Sequence, residues 1–356
     1  MLRPITVVLT AAGCPGASTC IRYLRGVQER TVRVIGADAD REAVGRFLAD
    51  GFRRIPGSEE AGYIDALVEL CEEEGADCLI PASSYETNVV AAHLGRFEAI
   101  GVKVLVSELS ALEVANDKFR LYDALRDAPS VRVPEFRLVK SLEEFLAAFR
   151  AMGGGERRLC FKPPYSKGSR GFRYIDDRTS RRDLLMNFKP DSKFISLAEF
   201  TDIFRSERDF PELLLMEVLE GEEIDSMVIG LDGEALLVTH KTREKERGGV
   251  ITQGEVVERP EITRSIEEIV ARIPLRYNFG IQFIGGALLE INPRLSTFLY
   301  TDEWVEPYFA IKLALGEYTP ADIRALASKN PVGLRMRRYF DQCFFPAERS
   351  ALVGAR

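Results

Sequence analysis

Glu290 and Asn292 stand two residues apart at the end of an apolar run, and Pro293 and Arg294 follow at once. Side chains on a strand alternate faces, so Glu290 and Asn292 project together while Leu289 and Ile291 turn to the core. Pro293 cannot donate to a ladder and stops the strand where the polar pair ends. A carboxylate beside a carboxamide, with a guanidinium next door, suits a hard divalent cation that carries phosphate oxygens. The run Asn278 to Ile284 precedes this one across Gly285-Gly286, which predicts a β-hairpin. A two-residue turn would pair Gln282 with Leu289 and put Gln282 on the face opposite Glu290. A three-residue loop, Ile284 to Gly286 with a glycine bulge, pairs Gln282 with Leu288 instead. Gln282, Glu290 and Asn292 then share a face, within a diagonal reach of about 7–8 Å. The expectation is the three-residue loop, because it gathers three oxygen donors.

Cations and glycines gather in a second stretch. The apolar run Leu159-Cys160-Phe161 ends in Lys162 and leads into Pro163-Pro164-Tyr165-Ser166-Lys167-Gly168-Ser169-Arg170-Gly171. A loop of this kind lets backbone amides approach phosphates closely; an exposed loop with incidental charges is the plain alternative. Leu213 to Gly230 reads as a strand, a bend at Gly221 and a second strand. Its extended backbone suits the edge of a purine, and Glu223 is placed to accept hydrogen bonds from ribose hydroxyls. Ser84 and Glu86 follow Pro81 at a strand end, where they either touch a substrate or cap the next helix. Arg243 lies in a run of mixed charge, 241–249, and either grips a substrate carboxylate or is solvated. The two histidines, His93 and His240, stand beside no triad pattern and read as structural.

The elements that must hold these residues alternate at first. Strands at 5–10, 31–37, 77–81 and 102–106 are separated by helices ending near Gln28 and spanning 58–74 and 86–97. Such an alternation means a parallel sheet with ligands at the carboxyl ends of its strands. The turn Gly13-Cys14-Pro15-Gly16 and the acidic end Asp38-Ala39-Asp40 resemble a dinucleotide fingerprint without its third glycine. A tight turn, a dinucleotide site and an anion site at the helix N-terminus are all open readings. Helix over 107–127, strand 136–139, a helix from Ser141 and strand 158–162 follow. Residues 176–210 are charge-rich with few apolar anchors and read as surface. A hairpin turn at Asp232-Gly233, strand 235–240, helices 261–274 and 304–316 and a final strand 332–340 complete the chain.

At 356 residues the chain suggests two or three packed units. Its 46% hydrophobic and 29% charged residues are those of a globular protein, and a net charge of −7 argues against an electrostatic grip on nucleic acid. No apolar run approaches the roughly 20 residues of a membrane helix. The N-terminus shows no signal-peptide pattern, and six cysteines without metal-type spacing read as reduced thiols of a cytoplasmic protein.

Four features thus occur in one order: Asp117-Lys118; Phe161-Lys162-Pro163 with Gly168-Ser169-Arg170-Gly171; Met216-Glu217 with Gly221-Glu222-Glu223; and Gln282 with Glu290-Ile291-Asn292-Pro293-Arg294. In this combination the chain resembles the ATP-grasp superfamily, nearest the carbamoyl-phosphate synthetase large-chain type and the small carboxylate–amine ligases such as that of pyrrolysine biosynthesis. The resemblance implies an α/β, Rossmann-like pre-ATP-grasp domain over residues 1–112. A two-lobed α+β ATP-grasp domain follows, its small lobe over 113–211 and its large lobe over 212–356. It implies that Lys118 and Lys162 contact ATP phosphates and that Gly168, Ser169, Arg170 and Gly171 fold over them. Glu217, Val218 and Leu219 would meet the adenine, the last two by backbone, and Glu223 the ribose. Glu290 and Asn292 would bind Mg2+ with Gln282, where many members carry Glu or Asp. Arg294 would neutralise charge on the transferred phosphoryl group. The implied reaction is carboxylate–amine ligation through an acyl phosphate, with a homodimer usual for the family. Phosphorylation of bicarbonate or carbamate is the enzymatic alternative, although the chain is too short for tandem ATP-grasp halves. A dehydrogenase or nucleotide-binding module built on 5–40, and a silent ATP-binding protein, are the others.

Overall fold

The structure is a computed structural model that describes residues 1–166, 170–180, 182, 185–186, 193–207, 209–247, 249–295, 300–339 and 341–344. Its first sheet is wholly parallel, in the order β3-β2-β1-β4-β5, with β1 Ile5–Leu9, β2 Val32–Asp38, β3 Gly51–Arg54, β4 Cys78–Ile80 and β5 Lys103–Val104. Val7, Leu9 and Val34 are fully buried against Ala17, Cys20, Ile21 and Leu24 of the helix Ala17–Arg25. Strand order changes direction between β1 and β4, so the loops after those two strands open a crevice between them. The turn after β1 is closed from within, since the Gly13 amide donates to Asp38 Oδ2 at 2.8 Å. A Cβ on Gly45 would meet that of Ala12 at 2.5 Å, which keeps this corner free of any larger residue. Asp38, the acidic end of β2, is thereby committed to the turn. Strand β3 and the short helix Gly45–Leu48 have no counterpart in the sequence reading; their few apolar residues show no clear period.

The second sheet runs β6-β10-β7-β8-β9, with β6 Phe136–Val139, β7 Leu159–Lys162, β8 Arg173–Ile175, β9 Phe194–Ile195 and β10 Leu213–Glu217. Because β10 pairs with both β6 and β7, we place the passage between the lobes at Gly221 rather than after residue 211. The helix Leu197–Ser206 is better anchored than the charge of its surroundings suggests. Phe200 of helix Leu197–Ser206 is fully buried and stacks on Phe145 with centroids 4.0 Å apart. Ser196 caps this helix by accepting the Glu199 amide, and Ser141 caps the helix Leu142–Ala151, which carries Phe145, by accepting the Glu144 amide.

The third sheet is antiparallel, β13-β14-β12-β11-β15-β16, with β17 against β14. Its strands are β11 Glu223–Leu231, β12 Glu234–Thr242, β13 Lys245–Arg247, β14 Val250–Val257, β15 Tyr277–Ile284, β16 Ala287–Asn292 and β17 Arg335–Arg337. The run 241–249 is therefore no simple solvated loop: Lys241 ends buried in β12 and β13 pairs with β14. The last strand is shorter than expected, and helices over 86–97 and 107–127 each break in two. Asp117 causes the second break by accepting the Phe119 and Arg120 amides at 2.9 and 3.1 Å, which starts the helix Lys118–Ala124. The first domain sits firmly on the third sheet's helix Glu306–Ala314. Glu29 accepts from Tyr308 Oη at 2.6 Å and Lys312 Nζ at 2.8 Å, and buried Arg30 pairs with Glu317. Among the described residues, no helix is long and apolar enough to cross a membrane.

Candidate active site

The hairpin of β15 and β16 brings Gln282, Glu290 and Asn292 together by a different register from the one expected. Gly285 and Gly286 have φ of 54° and 78°, so a two-residue turn closes on Ile284 opposite Ala287. Phe283 then faces Leu288, the ladder shifts by one, and Gln282 faces Glu290. Leu289 is the residue squeezed out. It is half-buried at the cleft instead of entering the core, and Leu288 takes the core position. The bulge does what a longer loop would have done: Gln282, Glu290 and Asn292 share one face. Tyr122 Oη pins the bulge by donating to the Leu289 carbonyl at 2.6 Å. Gly285 also has no room for a side chain, since a Cβ would lie 2.2 Å from the Glu220 carbonyl oxygen.

Two lysines lie over this face. Lys118 Nζ is 3.6 Å from Glu290 Oε2 and donates to the Ser166 carbonyl at 3.0 Å, while its amide donates to the Pro164 carbonyl at 3.0 Å. The loop after β7 is thus tied to Lys118 on both sides. Lys162, buried at the end of β7, donates to Tyr122 Oη at 3.4 Å. Burial, then the neighbouring Lys118 charge, push the Lys162 ammonium down to about 8, against the pull of Glu290. Burial raises the Glu290 carboxyl, but Lys118, Lys162, the Asn292 contact and Arg294 outweigh it and hold it below its ordinary value. The outcome is an ionised carboxylate between two cations, in a cleft of about 600 Å³ between the three sheets.

The rest of the cleft is built from both domains. Arg294 Nε donates to Ser84 Oγ at 3.1 Å, across from the end of β4, and Arg170 donates to Tyr85 Oη at 2.9 Å. Gly171, at φ 75°, packs so closely that a Cβ would sit 2.7 Å from Pro163 Cδ. Gly168 and Ser169 lie outside the described residues. Glu223 and Arg243 face each other at 3.2 Å, and Arg243 also reaches Glu246; at 9% side-chain exposure Arg243 is a paired group and no solvated charge. Burial raises the Glu223 carboxyl despite Arg243. Glu217 is at the hinge, where it accepts the Glu135 amide at 3.0 Å and meets Arg157 at 3.4 Å. The Val218 amide donates to the Arg158 carbonyl at 3.1 Å, so that donor is already used.

Glu86 corrects an expectation. It is buried beneath the cleft and accepts from Thr10 Oγ1 at 2.7 Å, the Ser83 amide at 2.7 Å and Tyr63 Oη at 2.5 Å. It ties β1, the β4 loop and the helix Tyr63–Glu73 together and offers nothing to a substrate. His240 sits between Ser226 and Thr263, and burial pushes it down to about 4; both histidines are structural, His93 bonding the Val89 carbonyl. Sequence reasoning missed Cys14, Asp225 and Arg338, all of which line the cleft. Asp225 had a signal, standing one alternation beyond Glu223. A second concavity near Arg22, Arg25 and Arg33 is open, and Asp50 and Glu74 pair with Arg25 and Arg33 there.

The donor set of Glu290, Asn292 and Gln282, all hard oxygens beneath two phosphate-type lysines, fits a magnesium ion carried by a nucleotide. The family described as PylC-like, N-terminal domain, matches residues 7–105, and that described as ATP-grasp in the biosynthetic pathway with Ter operon matches 209–332. N5-carboxyaminoimidazole synthetase from Staphylococcus aureus, complexed with ADP, superposes with a TM-score of 0.57 at 14% identity, over 92% of this chain and 77% of that one. A biotin carboxylase–β-γ-ATP complex from Campylobacter jejuni gives 0.62 at 16%, over 90% and 73%. Pyruvate carboxylase from Rhizobium etli gives 0.61 at 17%, over 93% of this chain and 30% of that one. No curated protein sequence matches the chain.

Proposed function

We propose that this chain, a member of the ATP-grasp superfamily, is a carboxylate–amine ligase that joins the two through an acyl phosphate and releases ADP and phosphate. The observation that carries the reading is the Glu290 carboxylate, held ionised on one face with Gln282 and Asn292 and facing Lys118 and Lys162. A carboxylate resists attack by an amine because its leaving group is oxide; transfer of a nucleotide's terminal phosphoryl group supplies a stable one. Such transfer needs positioning and charge neutralisation more than a nucleophilic side chain. Lys118 and Lys162 neutralise phosphate oxygens from the loop side. Glu290, Asn292 and Gln282 would hold magnesium from the hairpin side. Arg294, fixed by Ser84, faces the crevice of the first domain, where the acid would lie with its reacting oxygen toward the phosphates. Arg170 and Gly171 belong to a loop that folds over the nucleotide and excludes water from the acyl phosphate. Glu223 accepts from ribose hydroxyls, with Arg243 as its fixed partner. Glu217, Val218 and Leu219 frame the adenine at the hinge, the amide of Val218 serving the sheet rather than the base.

The test is a screen of small carboxylates, bicarbonate among them, against amino acids and other amines. ADP release is followed and products are identified by mass spectrometry. Release that requires both an acid and an amine, with a condensed product, supports ligation; release with bicarbonate alone transfers the reading to carboxyphosphate formation. Absence of any nucleotide binding sinks both.

A further inference from the structure

One loop of the first domain touches both walls of the cleft. Ser84 Oγ accepts from Arg294 Nε at 3.1 Å, and its neighbour Tyr85 accepts through Oη from Arg170 Nη1 at 2.9 Å. Arg294 follows the β15–β16 hairpin, whereas Arg170 stands between β7 and β8, so two adjacent residues reach two different lobes. All four side chains line the same cleft. A guanidinium carries five donors in a fixed fork, so a single bond to one of them sets the aim of the rest.

The loop that carries Ser84 and Tyr85 is itself held from below. Buried Glu86 accepts the Ser83 amide at 2.7 Å, buried Thr10 accepts the Ala82 amide through Oγ1 at 3.2 Å, and Ser83 Oγ accepts the Tyr85 amide at 3.2 Å. Its backbone is thereby fixed to β1 and to the end of β4, and it can serve as a rigid strut. Tyr85 is 47% exposed, so core packing does not account for its contact with Arg170, and removal of its hydroxyl should leave the fold intact. Its partner sits in a loop that is also fastened: Lys118 holds the Ser166 carbonyl on one side, and Gly171 packs on Pro163 on the other. The bond from Arg170 to Tyr85 therefore joins two anchored backbones across a domain boundary.

We infer that Tyr85 is a positioning residue for phosphoryl transfer: it aims Arg170 at the terminal phosphate from the loop side, as Ser84 aims Arg294 from the hairpin side. The inference rests on the nucleotide reading above. A guanidinium aimed at the group in flight neutralises charge that a bound diphosphate no longer places there, so its loss is felt in transfer and not in MgADP binding. The probes are MgADP alone and MgADP with aluminium fluoride, whose fluoroaluminate stands in for the phosphoryl group in transfer. By calorimetry, Tyr85→Phe is expected to bind MgADP within about twofold of wild type and the fluoroaluminate complex at least about tenfold more weakly. Arg170→Gln should show the same split. The double variant should be within about threefold of Arg170→Gln, because the tyrosine acts only through that arginine. Basal ATP hydrolysis gives a second reading that needs no fluoride complex: in Tyr85→Phe kcat should fall about tenfold while KM for ATP stays within about twofold. A Tyr85→Phe protein that matches wild type in both readings, or a double variant whose losses multiply, overturns the inference and leaves the nucleotide site intact. Equal weakening of MgADP and of the fluoroaluminate complex also overturns it, since the tyrosine would then brace the whole cleft. A wild type that binds no MgADP fails at the earlier step, the nucleotide site itself.

Discussion

Gln282 and Glu290 face each other across β15 and β16 because Leu289 bulges out of the ladder between them and the turn. Without that bulge, a two-residue Gly-Gly turn would send Gln282 to the opposite face from Glu290. The face shared by Gln282, Glu290 and Asn292 therefore depends on a backbone irregularity that Tyr122 and two glycines hold in place.

The two glycines should respond very differently to alanine. Gly285→Ala adds a methyl group 2.2 Å from the Glu220 oxygen at φ 54°, whereas Gly286 at φ 78° has nothing within 4 Å. Gly286→Ala then loses only about 1 kcal/mol for its left-handed backbone. Gly285→Ala is expected to lower the melting temperature by several degrees more, and to weaken nucleotide binding by an order of magnitude. Calorimetric melts and nucleotide titrations of the two variants check this; equal effects would remove the hairpin–hinge contact from the account.

Lys162 should make nucleotide binding sensitive to mild alkali. Its folded-state ammonium titrates near 8, below the ordinary lysine value of 10.5. Phosphate favours the charged form, so affinity for the nucleotide is full below pH 8 and falls as pH rises through that value. Fluorescence titrations from pH 6.5 to 9.5 should show the dissociation constant rising at the upper end, and Lys162→Met should abolish the slope. The same variant should melt a few degrees higher at pH 7, because the folded state no longer carries a buried ammonium while the unfolded chain loses nothing. A Lys162→Met protein that is less stable and binds nucleotide normally would show that the lysine is structural.

Glu86 is expected to matter for folding and not for turnover. Glu86→Ala strands the Thr10 and Tyr63 hydroxyls and the Ser83 amide in a buried place, a loss on the order of 2–4 kcal/mol. At a temperature where the variant is folded, its turnover should be within threefold of wild type. A much larger fall in kcat, with the melt unchanged, would return Glu86 to the substrate site.

Much of this architecture is legible in the sequence because it rests on patterns with a fixed period. The parallel strands announce themselves as apolar runs between helices. Glu290 and Asn292 share a face by alternation alone. What was not legible depends on partners far along the chain. The bulge at Leu289 is set by Tyr122, and the inward turn of Glu86 by Thr10 and Tyr63. Lys241 and Arg243 look like surface charges in a mixed-sign run until β11 and β14 pack beside them. Strand β14, with polar residues at 252, 253 and 255, has no clear alternation to read. Asp225 was visible as a strand residue, but its place beside Gln282 follows only from the pairing of β11 with β15.

The most direct test titrates nucleotide into wild type and Glu290→Ala by calorimetry, once with Mg2+ and once with a chelator. Glu290 is held ionised by Lys118 and Lys162, so without metal it repels phosphate. The account predicts that Glu290→Ala binds MgATP at least 30-fold more weakly than wild type, yet binds metal-free ATP as tightly or more tightly. Equal affinity of the two proteins for MgATP would contradict it.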